Sequence, residues 1–188
     1  MVYDCEILKN IRIFGILLLC FALSWLLFVF NMKLDRIDIQ ILHQIQQDSS
    51  LTNQELADKV GLSPSPCLRR VKSLEESGII RKSVTLLDEK KLGLKLTAFI
   101  QISMDRHTPD RFEVFERLVD SYSEVKSCCL VTGQSADYVL EVVVEDMDEF
   151  QKFLLGKITR IEGVTGVHSS FLLRRVVDRT SLPLDHLI

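Results

Sequence analysis

The stretch Leu51–Ile80, LTNQELADKVGLSPSPCLRRVKSLEESGII, decides how this chain is read. Thr52 stands where a helix N-cap is needed, and Glu55 follows three residues on. The two can satisfy each other's backbone donors in a capping box. Leu56 and Val60 share a face at i, i+4, and Gly61 supplies the left-handed residue that ends a helix. Ser63 is the next cap, and Pro64 takes the first helical position, where a missing N–H costs nothing. Cys67, Val71 and Leu74 follow at i, i+4, i+7 and form an inward stripe. Arg69, Arg70 and Lys72 lie largely off that stripe, with Ser65 near the helix start, and Gly78 ends the helix. Two short helices about a Gly turn, the second with a basic face, form the pattern of a helix-turn-helix that reads DNA.

A basic helical face taken alone is more often only solvated. Three neighbouring features shift the balance. Both helices carry caps about the Gly turn. A preceding helix, Asp35–Gln46, places Leu34, Ile37, Ile41 and Ile45 at helical spacing and can complete a trihelical core. After the pair, Ile79–Leu86 (IIRKSVTL) reads as a β-wing bearing Arg81 and Lys82.

Charge is focused rather than general. The 188-residue chain carries a net charge of −3. Lys33–Lys82 holds eight cations against seven anions, but Arg69–Lys82 holds five cations against two. Such a chain is no bulk polyanion binder, and affinity for DNA has to come from a local patch repeated by dimerisation. Cys5, Cys20, Cys67, Cys128 and Cys129 include no CxxC pair, and no His stands at zinc-finger spacing. Adjacent Cys128 and Cys129 read as a buried strand pair. No metal site, Gly-rich phosphate loop or Ser/His/Asp set stands out, so the chain is not read as an enzyme. Reduced thiols fit a cytoplasmic setting.

Residues Ile13–Phe30 (IFGILLLCFALSWLLFVF) form eighteen positions without a charge. By hydropathy this is a short membrane-span candidate. Met32-Lys33-Leu34-Asp35 is an ordinary soluble start just before the first capped helix, so residues 1–31 are expected to be upstream sequence joined by a misassigned start. A membrane anchor is the alternative, and a secretion signal would separate a DNA reader from its DNA.

Beyond a connector at 87–95, the pattern alternates. Leu96–Ser103, Val125–Val131, Asp137–Val144 and Val164–Arg174 read as strands, and Asp110–Tyr122 and Met147–Ile158 as helices. The order β-α-β-β-α-β is ferredoxin-like. A sheet with helices on one face needs its other face covered, and a second copy is the simplest cover. Thr132-Gly133-Gln134-Ser135-Ala136-Asp137-Tyr138 is a hairpin loop on pattern alone. It is also a candidate pocket for a small zwitterion, with turn amides on a carboxylate and Asp137 or a carbonyl on an ammonium.

The segments LDRIDIQIL, NQELADKVGLSPSPCLRRVKSLEESGII, VTGQSADYVLEV and IEGVTGVHSSFLLRRV together resemble the Lrp/AsnC (leucine-responsive, feast/famine) family of transcriptional regulators, from about Lys33 to the C-terminus. The ending TSLPLDHL is similar to a subset of that family. The resemblance implies an α+β chain: a winged helix-turn-helix over 32–86, then a ferredoxin-like effector-binding and oligomerisation domain over 96–176 and a tail over 177–188. It implies DNA contact through Thr52, Ser63, Ser65, Leu68, Arg69, Arg70, Lys72, Arg81 and Lys82, on a recognition helix Ser65–Ser77 and its flanks. It implies a free amino acid, Leu or Met, as effector at Thr132, Gly133, Gln134, Ser135, Asp137 and Tyr138, with no other cofactor. It further implies homodimers that assemble to octamers, and a cytoplasmic, nucleoid-associated protein. A membrane-tethered version, or an amino-acid-binding protein without DNA binding, remains the alternative. Two departures stand out: typical members lack residues 1–31, and the loop is one residue longer than a common TGxxDY form.

Overall fold

The computed structural model describes residues 34–133 and 136–187. The hydrophobic stretch 13–30, together with Gln134 and Ser135 of the loop, lies outside the described residues. Among those described, no helix is long and apolar enough to cross a membrane. The described residues divide into two compact units, 34–85 with 179–187 and 86–178.

In the first unit, helix α1 spans Arg36–Gln47, α2 Asn53–Val60 and α3 Pro64–Glu76. Asp35 caps α1, accepting the N–H groups of Ile37 and Asp38 at 2.9 Å each, while the Asp38 carboxylate accepts the Asp35 N–H. The expected Thr52/Glu55 box is present on α2. Gly61 ends α2 at φ 70°, in the left-handed region where glycine pays no Cβ penalty. Ser63 caps α3 without a side-chain hydrogen bond, which corrects the expectation of a working hydroxyl cap. One of the two donors an N-cap oxygen can meet is missing: the third helical position is Pro66, which has no N–H, and only that of Ser65 is left. Ile41, Leu56, Ala57, Cys67 and Leu74 close a core to which Leu34, Ile37, Ile45 and Val71 add partial cover. The segment expected as a β-wing forms no strand ladder: residues 81–88 are irregular and exposed.

The second unit contains β1 (Leu96–Met104), α4 (Pro109–Asp120), β2 (Val125–Leu130), β3 (Tyr138–Val144), α5 (Met147–Gly156), a 3-10 turn (Ile158–Arg160) and β4 (Val164–Phe171). The sheet order is β2-β3-β1-β4, and every pairing is antiparallel. This is the expected ferredoxin-like arrangement. Alternation sorts the two faces. Ala98, Ile100, Ile102, Leu140, Val142 and Val144 are buried under Phe115, Val119, Phe150 and Phe153 of the helices. Phe99, Gln101, Val139 and Val143 point the other way and are only half-buried. Cys128 and Cys129 are both exposed, against the expectation of a buried pair, because β2 is an edge strand with little cover on either face.

One end of the sheet is tied by a glycine. Asp105 donates its N–H to the Gly163 carbonyl at 2.8 Å. Arg111 crosses the same point to reach Asp105 and Glu162. Gly163 sits at φ +93°, and a Cβ there would lie 2.7 Å from Arg111 Cδ and 2.9 Å from Asp105 Oδ1. The backbone therefore demands glycine, and a Cβ would in addition push the Arg111 and Asp105 side chains aside. Gly163→Ala is expected to destabilise this unit by about 1–2 kcal/mol from the φ penalty alone, read as a lower urea midpoint with an unchanged slope.

Candidate DNA interface and effector site

Helix α3 presents two flanks. Ser65, Arg69 and Lys72 fall at i, i+4, i+7 on one face, and all three are exposed. Leu68 beside them is 43% exposed, a large apolar group only partly covered. Ser63 is exposed at the start of the same face, and Arg81 and Lys82 are exposed beyond the helix. Neither Arg69 nor Lys72 makes an ion pair among the described residues.

Arg70 is different. Its Nη1 lies 2.7 Å from Asp35 Oδ2 and 2.7 Å from Asp38 Oδ1. The Asp38 side chain is only 10% exposed, so the guanidinium neutralises a nearly buried carboxylate. The hydrogen bonds to Asp38 and then to Asp35 hold the Arg70 guanidinium firmly protonated. Asp35 is pulled below its ordinary value of 3.8, chiefly by the backbone N–H of Asp38, with Arg70 adding to the effect. Arg70, expected at the DNA, thus has its Nη1 engaged inside the unit, where it pins α3 to the start of α1. Thr52 is likewise engaged, its hydroxyl donating to Glu55 Oε2 at 2.7 Å. Asn53 pins the opposite end, donating from Nδ2 to the Pro64 carbonyl at 2.8 Å.

At the loop site, Thr132 and Gly133 are exposed, and Gly133 has φ 86°. Asp137 is held on four sides. Its N–H donates to the Ile102 carbonyl and its carbonyl accepts from Val131, both at 2.8 Å. Its Oδ2 accepts the Met104 N–H at 2.7 Å, and its Oδ1 lies 2.7 Å from His107 Nε2. Tyr138 does not line the loop surface. It is 1% exposed, packed against Phe112 and Phe115, and donates its hydroxyl to Glu116 at 2.8 Å. Burial, then the Glu116 hydrogen bond, raises the Tyr138 hydroxyl above the ordinary phenol range. This hydroxyl faces a groove of about 680 Å³ between α4 and β2, where Arg117, Lys126 and Cys128 also lie. Although its surface is open to solvent, partial desolvation against α4, with Cys129 and Glu116 nearby, pushes the Cys128 thiol up to about 11, away from the thiolate form. His107 and Glu116 were not visible as partners in the sequence, since each meets the loop or its strand from another element.

A three-helix unit with an exposed basic recognition face, joined to a ferredoxin-like unit, defines a DNA-binding regulator with a separate ligand-binding domain. Residues 34–81 match the winged helix-turn-helix DNA-binding family, and residues 97–182 match the Lrp/AsnC ligand binding domain. The Bkd operon transcriptional regulator of Pseudomonas aeruginosa is 41% identical over 152 residues, covering 81% of this chain and 99% of that protein. The leucine-responsive regulatory protein of Escherichia coli is 39% identical over 143 residues, covering 76% of this chain and 87% of that one. Among solved structures, a transcriptional regulator from Neisseria meningitidis in complex with L-Met superposes with a TM-score of 0.79 at 44% identity, covering 82% of this chain and 99% of that one. An AsnC family regulator from Agrobacterium tumefaciens gives 0.77 at 38% identity, covering 82% and 100%. The chain belongs to the Lrp/AsnC family of transcriptional regulators.

Removing Arg70 strands the Asp38 carboxylate. Arg70→Ala is expected to cost about 1.5–3 kcal/mol, the range for hydrogen bonds to charged groups, measured by chemical denaturation of the first unit. Asp35 adds a pH signature. Its folded pKa lies below the unfolded value, so its contribution is complete above the ordinary carboxylate value of 3.8 and is lost as pH falls through the lower folded one. Asp35→Asn should therefore lower stability at neutral pH and shrink the acid-induced loss below about pH 4.

Proposed function

We propose that this regulator reads DNA through Ser63, Ser65, Leu68, Arg69 and Lys72 on the outer face of α3. In this reading Arg81 and Lys82 meet the neighbouring phosphates, while Arg70 and Thr52 position the helices from within. The observation that carries it is the exposed ridge of Arg69 and Lys72, without an ion pair among the described residues, beside an Arg70 whose Nη1 is held by Asp35 and Asp38. Base edges are read from the start of a recognition helix, and cations farther along meet phosphate.

The effector is a free amino acid, Leu or Met, held at the loop around Thr132, Gly133, Gln134, Ser135 and Asp137. The names of the relatives support that choice: a leucine-responsive protein and a regulator in complex with L-Met. Tyr138 underpins the loop, and His107 joins the site because it already faces the Asp137 carboxylate. Copies pair through the half-covered sheet face to form homodimers, and dimers assemble to octamers, in the cytoplasm and on the nucleoid. The protein acts by binding, without catalysis. The effector shifts the balance of assemblies by its differential affinity for them, and so the spacing of recognition helices.

Two measurements test this. Arg69→Ala should weaken DNA binding in a gel-shift titration by about 1–3 kcal/mol if a base contact is lost. If Lys72 meets a phosphate, Lys72→Ala should reduce the salt slope by roughly 0.9. Unchanged affinity in both would return the face to plain solvation. Scanning the twenty amino acids by thermal denaturation should find one that adds about 2.7 kcal/mol at 100 times its Kd. Silence from all of them would overturn the effector.

A further inference from the structure

The C-terminal end leaves the sensing unit and packs with the DNA-reading unit, since residues from Arg179 onward cluster with residues 34–85. Two kinds of contact carry this. The Gln46 side chain near the end of α1 pairs with the backbone of Leu182: its Oε1 accepts the Leu182 N–H at 2.7 Å and its Nε2 donates to the Leu182 carbonyl at 3.4 Å. Two residues on, Leu184 packs against the core cluster of α1, α2 and α3. The chain then closes on itself, with the Leu187 N–H donating to the Leu184 carbonyl and Asp185–Leu187 forming a 3-10 turn.

We infer that Ser181–Leu187 is a docking segment for the DNA-reading unit of its own chain, with Gln46 as its receptor and Leu184 as its anchor. A side-chain amide that pairs with both the N–H and the C=O of one residue holds the tail by its backbone. Alone it would accept any sequence. Leu184 supplies selectivity, because it fills a place on an apolar surface where a polar residue would be penalised. Pro183 between them carries no N–H and has a fixed φ, so less chain freedom is lost on docking. The consequence is mechanical. The DNA-reading unit is held by two leads, one leaving through residues 79–95 and one returning through 172–180. About ten residues separate the end of β4 from Leu182, a reach of roughly 33–36 Å. A unit on two leads has fewer orientations open to it than a unit on one, so less orientational freedom is left to lose when the recognition helices meet the operator.

Backbone amide exchange of the full chain tests docking without DNA, and so stands apart from the DNA-reading proposal. The Leu182 amide should exchange slowly, and Gln46→Ala should release it while α1 stays folded. Leu184→Asp should release the whole segment. Exchange of Leu182 at the free-chain rate in the unaltered protein would overturn docking. The second part rests on the proposed DNA reading. A chain ending at Asp178, or Leu184→Asp where the truncation does not fold, should bind operator several-fold more weakly. Its amino-acid-dependent thermal shift should be unchanged. Equal DNA affinity with slow Leu182 exchange in the full chain would overturn the two-lead role, whereas absence of DNA binding by the full chain would instead sink the proposed interface.

Discussion

One arginine turned inward determines what the rest of the first unit presents. Arg70 sits between Asp35 and Asp38 at 2.7 Å from each, and that contact fixes the rotation of α3 about its own axis. With Arg70 facing α1, helical spacing places Ser65, Arg69 and Lys72 on the outer side. A neutral residue at position 70 would leave the Asp38 carboxylate to be solvated by opening the helix pair, since its side chain is only 10% exposed. The same contact accounts for two capping residues. Asp35 and Asp38 cap α1 through the backbone and simultaneously hold the cation, so helix start and helix packing depend on the same two carboxylates. A basic helix so oriented keeps only part of its charge for a partner, and its modest local surplus is better suited to repeated weak contacts than to one tight one.

The sensing unit obeys a comparable constraint at Asp137. The residue lies just before the strand that follows the loop, and it bonds β1 at both the Ile102 carbonyl and the Met104 N–H. An isolated carboxylate in a loop would be available to any ammonium. This one already satisfies a backbone donor and faces His107, so a ligand cation has to share Oδ1 or displace the imidazole. The loop is thereby joined to the end of β1 and to the start of α4, where Phe112 stacks near His107 at 6.1 Å. Binding at the exposed Thr132 and Gly133 would be felt through this anchor, because rigid packing passes displacements on more readily than it absorbs them.

Periodicity and caps made the elements legible in the sequence. Leu56 and Val60, or Phe115 and Val119, announce their helices by spacing, and alternation in Tyr138–Val144 announces a strand with one buried face. What escaped notice depended on distance along the chain. Arg70 looks like part of an outward basic face in the sequence because its acceptors lie over thirty residues away. Tyr138 was read as a loop residue because nothing in TGQSADY shows that its ring points into Phe112 and Phe115. Cys128 and Cys129 were read as core because an edge strand and a central strand share the same alternation. At Ser63 the signal is local: Pro66 removes one of the two donors that a capping hydroxyl can meet.

Burial differs sharply between the two faces of the sheet, and the charge on the open face sharpens the argument for what covers it. Glu141 lies on that face with its side chain 14% exposed, bonded to Arg175 at 2.6 Å and within 3.7 Å of Lys126. These pairs place compensated charge among Phe99, Val139 and Val143, so Glu141 does not stand as an unpaired ion on a half-covered face. Just beyond β4, Leu173, Val176 and Val177 are 96%, 79% and 65% exposed. Apolar groups so exposed, continuous in sequence with the edge of a half-covered sheet, would contribute most if covered by another protein surface. In the proposed dimer a second copy offers the same groups in return, and a two-fold axis lets one set of residues serve both sides. The strap that carries them is also the lead that brings Leu184 back to the DNA-reading unit. Covering residues 173–177 would therefore fix where that lead begins, and pairing of the sheets and docking of the tail would constrain the recognition helices together.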